Sequence, residues 1–179
     1  MIVFEKFGAK RISFDAYRRE FELPYTMFYK KYIPNFKKEH GKVFFDAINS
    51  VETPEPFPQV KETLEFLLKK GIKMALLSSH PQKKIEKEII DYGFSEFFVR
   101  VKGSVHDKIQ RIYEITQQCE FGEKETAYVG DMTHDIEAGK KAKLITVAVS
   151  WGYQPKEKLL KTNPDFLIEN LNQLNKIVF

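Results

Sequence analysis

With 179 residues, the chain can bury one well-formed core and still carry a small insertion. Its 42% hydrophobic and 30% charged content excludes a disordered or fibrous chain, and 29 basic against 25 acidic residues leave a net charge of only +4, which suits an anionic small molecule and gives no footprint for nucleic acid. A single cysteine, Cys119, excludes a disulfide framework and a cysteine zinc site. No apolar run approaches the roughly 18 residues of a membrane span, and no charged-then-apolar leader is present, so the expectation is a cytoplasmic protein without a membrane partner.

Taken in order, residues 12–50 place Phe14, Tyr17, Phe21, Leu23, Met27, Phe28, Tyr32, Ile33, Phe36, Val43, Phe44, Phe45 and Ile48 at spacings dominated by three and four, the pattern of short amphipathic helices. Ser13 or Asp15 can cap the first, and Pro24 and Pro34 divide the stretch. Three prolines within residues 54–58 forbid regular structure, so a boundary is expected there, with a helical region over 1–53 and a core domain over 54–179. Helix and strand then alternate: helix 60–70 closed by Gly71, strand 73–77, basic helix 82–92 ending at Gly93, strand 97–101, helix 109–118, strand 126–129, helix 136–142, strand 144–149 and a last apolar run at 165–168. This alternation predicts an α/β fold with a parallel sheet covered on both faces.

The chemistry gathers at two strand ends. In Tyr128-Val129-Gly130-Asp131-Met132-Thr133-His134-Asp135, a short apolar run reads as a strand buried on both faces, Gly130 lets the backbone turn, and the spacing puts Asp131 and Asp135 on one side of a following helical turn. Two carboxylates aimed at one point call for a hard divalent cation, magnesium or calcium; the alternative is one helix cap and one solvated acid. The other strand ends in Ser78-Ser79, which either binds an anion with hydroxyl and backbone N–H groups or simply caps the next helix. Lys108, at a helix entry between the two, either neutralises that anion or is an ordinary surface lysine. His80, His106 and His134 lack paired ligand spacing.

Together, Leu77-Ser78-Ser79, Lys108 and the Val129 to Asp135 stretch resemble the second, third and fourth motifs of the haloacid dehalogenase superfamily. Phe57-Pro58-Gln59-Val60, Val149-Ser150-Trp151-Gly152-Tyr153 and Asn163-Pro164-Asp165-Phe166-Leu167-Ile168 are similar to the flanks of its phosphoglycolate-phosphatase-like members, so the likeness runs from about residue 54 to 174. It implies a Rossmannoid three-layer parallel sheet, a helical cap formed by the residues before Pro54, and magnesium-dependent hydrolysis of a small phosphorylated metabolite. By the same resemblance, Ser78 and the Ser79 amide hold the phosphoryl group, Lys108 rather than Lys102 stabilises its charge, and Asp131 and Asp135 bind magnesium.

One motif departs from the pattern. The family's nucleophile opens an Asp-x-Asp-x-Thr motif at the end of the first strand, and no Asp-x-Asp occurs anywhere in this chain. Either the chain starts late, with residues 2–11 ending a cap helix at Gly8 and the central strand missing, or Ile2-Val3-Phe4 is that strand and Glu5 and Phe7 occupy a decayed motif; Asp15 offers a third register without a second acid. The late start is the favoured expectation. Either way weak or absent turnover is expected, and the late start further implies an open sheet edge and a substitute strand, a dimer or poor solubility. A non-catalytic phosphate or metal sensor, or a protein-binding aromatic cap, is the competing class.

Overall fold

The computed structural model describes residues 1–105 and 107–177. The N-terminal part is helical throughout, with α1 (Ile2–Lys6), α2 (Phe14–Glu20), α3 (Tyr25–Tyr32) and α4 (Gly41–Ser50). Of the two expected caps, Ser13 is the one used, its Oγ accepting the Ala16 amide at 3.1 Å. The aromatic spacing becomes a core of Val3, Phe4, Phe21, Phe28, Tyr29, Ile33 and Phe36. Phe4 meets Phe28 and Tyr29 edge to face at 6.3 and 5.8 Å, contacts worth about 0.5–1.5 kcal/mol each beyond area burial. Among the described aromatic side chains of residues 12–48, Phe14 alone is classed as exposed, so most of these rings fill a core.

Residues 2–6 are helical, which overturns Ile2-Val3-Phe4 as a strand. Glu5 pairs with Arg11 at the surface, and Phe7 packs on the rings of Phe36 and His40, so neither stands at a strand end. Asp15 sits in the first turn of α2, likewise away from any strand.

After an irregular stretch over 52–57, α5 (Val60–Lys69) ends at Gly71, whose φ of 73° allows Ile72 N–H to reach back to Leu67 O at 3.0 Å. Then come β1 (Met74–Leu77), α6 (Gln82–Asp91), β2 (Phe98–Lys102), α7 (Lys108–Gln118), β3 (Ala127–Gly130), α8 (Thr133–Lys141), β4 (Ile145–Val149), α9 (Lys156–Leu160) and β5 (Phe166–Ile168). Every strand pairing is parallel, and helices pack on the strands as the alternation predicts. The sheet is nevertheless divided: β1 pairs with β2, while β3, β4 and β5 form a separate sheet in that order.

Side chains alternate as a pleat requires. On β4, Val147 and Val149 pack with Ile168, Ile177 and Trp151, and Ala148 packs oppositely with Ile136 and Leu159. On β1, Met74 and Leu76 face a cluster with α5 and α6, and Leu77 faces the cluster under α7 and α8. The expectation that β3 is covered on both faces fails. Tyr128 packs inward, but Ala127 is exposed and Val129 is 39% exposed, because β3 is an edge of its sheet and the described residues leave that side open.

Candidate active site

The strand-end geometry of β3 differs from the expected turn. Gly130 remains within the strand; what its position requires is space, since a Cβ there would lie 2.6 Å from Asp135 Cγ. The helix starts at Thr133, so Asp131 precedes it and the two acids do not share a helical turn. Asp135 lies in the first turn of α8, 3% exposed, and its Oδ2 accepts Met132 N–H at 3.1 Å. Asp131 turns the other way. Its Oδ2 accepts Tyr153 N–H at 2.7 Å, and it approaches Gly152 so closely that a Cβ there would come within 2.5 Å of that oxygen.

Burial pushes the Asp131 carboxyl above its usual range; the Tyr153 amide opposes this, and the nearby Asp135 charge adds to it. Desolvation and a like charge both disfavour the ionised form.

Lys108 is no surface lysine. At the first position of α7, with its side chain 11% exposed, it forms an ion pair with Asp135 Oδ1. Tyr128 Oη also donates to that oxygen at 3.5 Å. Burial raises the Tyr128 phenol well above its ordinary value, so it stays a neutral donor. Ser78 and Ser79 do not cap α6 either. Pro81 stands at the cap position and the Gln82 amide is taken by Ser104 Oγ at 3.2 Å, leaving Ser78 Oγ to accept His80 N–H at 3.1 Å and Ser79 exposed.

The two strand ends lie on one side of the molecule. Ser78 N–H donates to Lys102 O at 2.8 Å and Val105 N–H to Ser78 O at 3.0 Å, so the serine loop adjoins the segment that enters α7, and Lys108 carries the connection to Asp135. Lys102, at the end of β2, has no such link. His80 lies 3.7 Å from Glu88. His134 is held below its ordinary value, first by burial and then by Lys108, and its Nδ1 has no hydrogen-bond partner. His106 lies outside the described residues.

Sequence reasoning misses the residues that fasten the helical region to this site. Gln154 is fully buried; its Oε1 accepts Thr133 N–H at 2.7 Å at the start of α8, and its Nε2 donates to Phe21 O at 2.8 Å. Arg18 on α2 donates to Gly152 O at 2.7 Å and Tyr153 O at 3.0 Å, the loop whose amide holds Asp131. The one available signal is the Trp151-Gly152-Tyr153 run beside β4.

The donor set fits a hard divalent cation in one arrangement. Among the described residues, no other residue donates a hydrogen bond to Asp131 Oδ1, whereas both Asp135 oxygens are occupied, so a bound cation would meet Asp131 directly and Asp135 through water. Among the described residues, no group of three His, Cys, Asp or Glu side chains gathers. Magnesium suits such a sparse set, because it keeps several waters and binds through one or two carboxylates.

The model of the haloacid dehalogenase-like hydrolases matches residues 1–149. The chain belongs to that family. It is 30% identical over 146 residues to the phosphoglycolate phosphatase of Vibrio parahaemolyticus, covering 77% of this chain and 64% of that protein. It is 26% identical over 161 residues to the phosphoglycolate phosphatase of Haemophilus influenzae, covering 79% and 72%. The chain thus spans just under two thirds of the first of these relatives. In fold, a haloacid dehalogenase-like hydrolase from Streptococcus pneumoniae superposes with a TM-score of 0.81 at 15% identity, over 98% of this chain and 86% of that one. The divided parallel sheet and its helices are therefore a haloacid dehalogenase-like fold. No helix among the described residues is long and apolar enough to cross a membrane.

Proposed function

We propose that this chain carries the phosphate-binding and metal-binding half of a phosphoglycolate-phosphatase-like site, acting on a small phosphomonoester, and that by itself it turns such substrates over weakly or not at all. The observation that carries the reading is the buried Lys108–Asp135 pair, which ties the start of α7, beside the serine-bearing loop, to the aspartate-bearing one. In it, the Ser78 hydroxyl and Ser79 amide hold the phosphoryl oxygens, and the Lys108 ammonium offsets their charge. Asp131, with Asp135 behind a water, would hold magnesium, which when bound draws negative charge off the phosphoryl group. Residues 1–53 form the cap, pinned to the site loop by Arg18 and Gln154.

Covalent phosphoryl transfer further needs a carboxylate nucleophile and a second acid in line with the phosphorus. Glu5, the nearest sequence substitute, lies on α1 and pairs with Arg11 instead. That placement favours binding without turnover. Calorimetry with magnesium and inorganic phosphate, beside phosphate-release assays on phosphoglycolate and sugar phosphates, tests both halves. Magnesium-dependent phosphate binding lost in Asp131→Ala, with release at background, is expected. Robust release abolished by Asp131→Ala overturns the claim of weak turnover, and absence of both binding and release overturns the site.

A further inference from the structure

We propose that the leaving group of the phosphomonoester is a small neutral alcohol, largely apolar and about the size of one substituted ring, held in a cavity of the helical region. The inference rests on the phosphoryl reading above and names its substrate class. The cavity measures about 190 Å³. Ile2 and Val3 of α1, Phe44, Ala47 and Ile48 of α4 and Val51 just beyond form its apolar walls, and Tyr17 of α2 and Tyr29 of α3 also line it. A dry apolar cavity of about 150 Å³ takes one benzene, so this one has room for a ring and a small substituent.

Two sets of contacts place the cavity beside the phosphoryl site. Lys84, in the first turn of α6 just beyond the serine loop, donates to Ile48 O at 3.0 Å and Val51 O at 3.4 Å, which sets that wall on the Ser78 side. Tyr17 packs against Tyr153 with ring centroids 5.8 Å apart, and the Tyr153 amide holds Asp131, which sets the other wall on the aspartate side. A cavity bounded by both walls lies between the loops assigned to the phosphoryl group and the metal.

The lining decides the chemistry. Among the described residues, none that lines the cavity carries a charged side chain. The cations at its margins are already engaged by backbone carbonyls, Lys84 on those of Ile48 and Val51 and Arg18 on those of Gly152 and Tyr153. A leaving group with its own carboxylate, as in phosphoglycolate, would bury an unpaired charge there, which apolar surroundings penalise heavily. Phenols supply the polar end instead. Tyr17 Oη and Tyr29 Oη lie 3.4 Å apart, and burial raises both well above their ordinary value, so they stay neutral and offer a hydrogen bond to a hydroxyl or ester oxygen.

Calorimetry of the full chain with magnesium compares inorganic phosphate, phosphoglycolate and phenyl phosphate, the last as the neutral-ring probe. We expect phenyl phosphate to bind at least about tenfold tighter than inorganic phosphate, because its ring leaves water, and phosphoglycolate to gain nothing over inorganic phosphate. Ala47→Phe fills the cavity and should lower phenyl phosphate to the inorganic phosphate level while leaving inorganic phosphate binding unchanged. Val51→Trp, at a position 56% exposed and so tolerant of substitution, repeats the test from another wall. Phosphoglycolate binding as tightly as phenyl phosphate overturns the proposal, as does a phenyl phosphate advantage that survives both variants. Inorganic phosphate that binds while phenyl phosphate gains nothing overturns this inference alone. A chain that binds no phosphate at all overturns the phosphoryl reading, and the inference with it.

Discussion

β3 and β4 are adjacent, parallel and of similar composition, Ala-Tyr-Val-Gly beside Ile-Thr-Val-Ala-Val, yet they live in different environments. β4 is paired on both edges and buried on both faces; β3 is paired on one edge, with every second residue exposed. The difference teaches that a strand's apolar content records the neighbours it is suited to, not those it has. Alternate burial on β3 leaves the face of Ala127 and Val129 open to water.

The sharpest way to break this comparison is to put the same charge on both strands. Val147→Asp on β4 buries an unpaired carboxylate in a fully covered site and is expected to cost more than about 4 kcal/mol, abolishing the folded state in urea titration. Val129→Asp on β3 should cost less than about 1 kcal/mol, because the new carboxylate stays in water. Equal losses would mean that β3 is as covered as β4.

A second test concerns what replaces backbone pairing across the divide. The Lys108–Asp135 pair links α7 to α8, and breaking it from one side leaves a carboxylate buried alone. Lys108→Met is expected to cost about 3–5 kcal/mol, and adding Asp135→Leu should recover much of the loss. A double variant no more stable than the single one would show that the pair's worth lies in packing. For comparison, Gln154→Leu removes one buried and one part-buried hydrogen bond that fasten Phe21 to the start of α8, and should cost about 2–3 kcal/mol.

Much of this is legible in the residues alone. The three-and-four spacing of aromatics before Pro54 and the helix-strand alternation after it have local causes, and the elements fall within a few residues of expectation. Lys108 and Asp135 are legible as candidates, though not as partners, because their contact spans 27 positions. Gln154 is not legible at all: an uncharged side chain in a loop says nothing of the two backbone groups it will meet. Gly130 misleads, since glycine can mark either a turn or a tight approach, and only packing against Asp135 tells which. The exposure of β3 escapes for the reason given above.

The smallest loss on the well-paired side of the comparison is expected where β4 is tied to the segment leading into β5. Thr146, fully buried, donates its amide and hydroxyl to Asp165 Oδ2 at 2.7 and 2.6 Å. The Thr146 hydroxyl and then its amide hold the Asp165 carboxyl below its ordinary value. A carboxyl lowered in the folded state stabilises it fully above the unfolded value of about 3.9, and that contribution is lost as pH falls through this value toward the folded one. Asp165→Asn is therefore expected to cost about 1 kcal/mol at neutral pH, since the surface position leaves water to compete, and progressively less below about pH 4. Thermal melts at pH 7 and pH 3 measure the difference. A loss of the same size at both would show that the hydrogen bonds, and not the negative charge, tie β5 to β4.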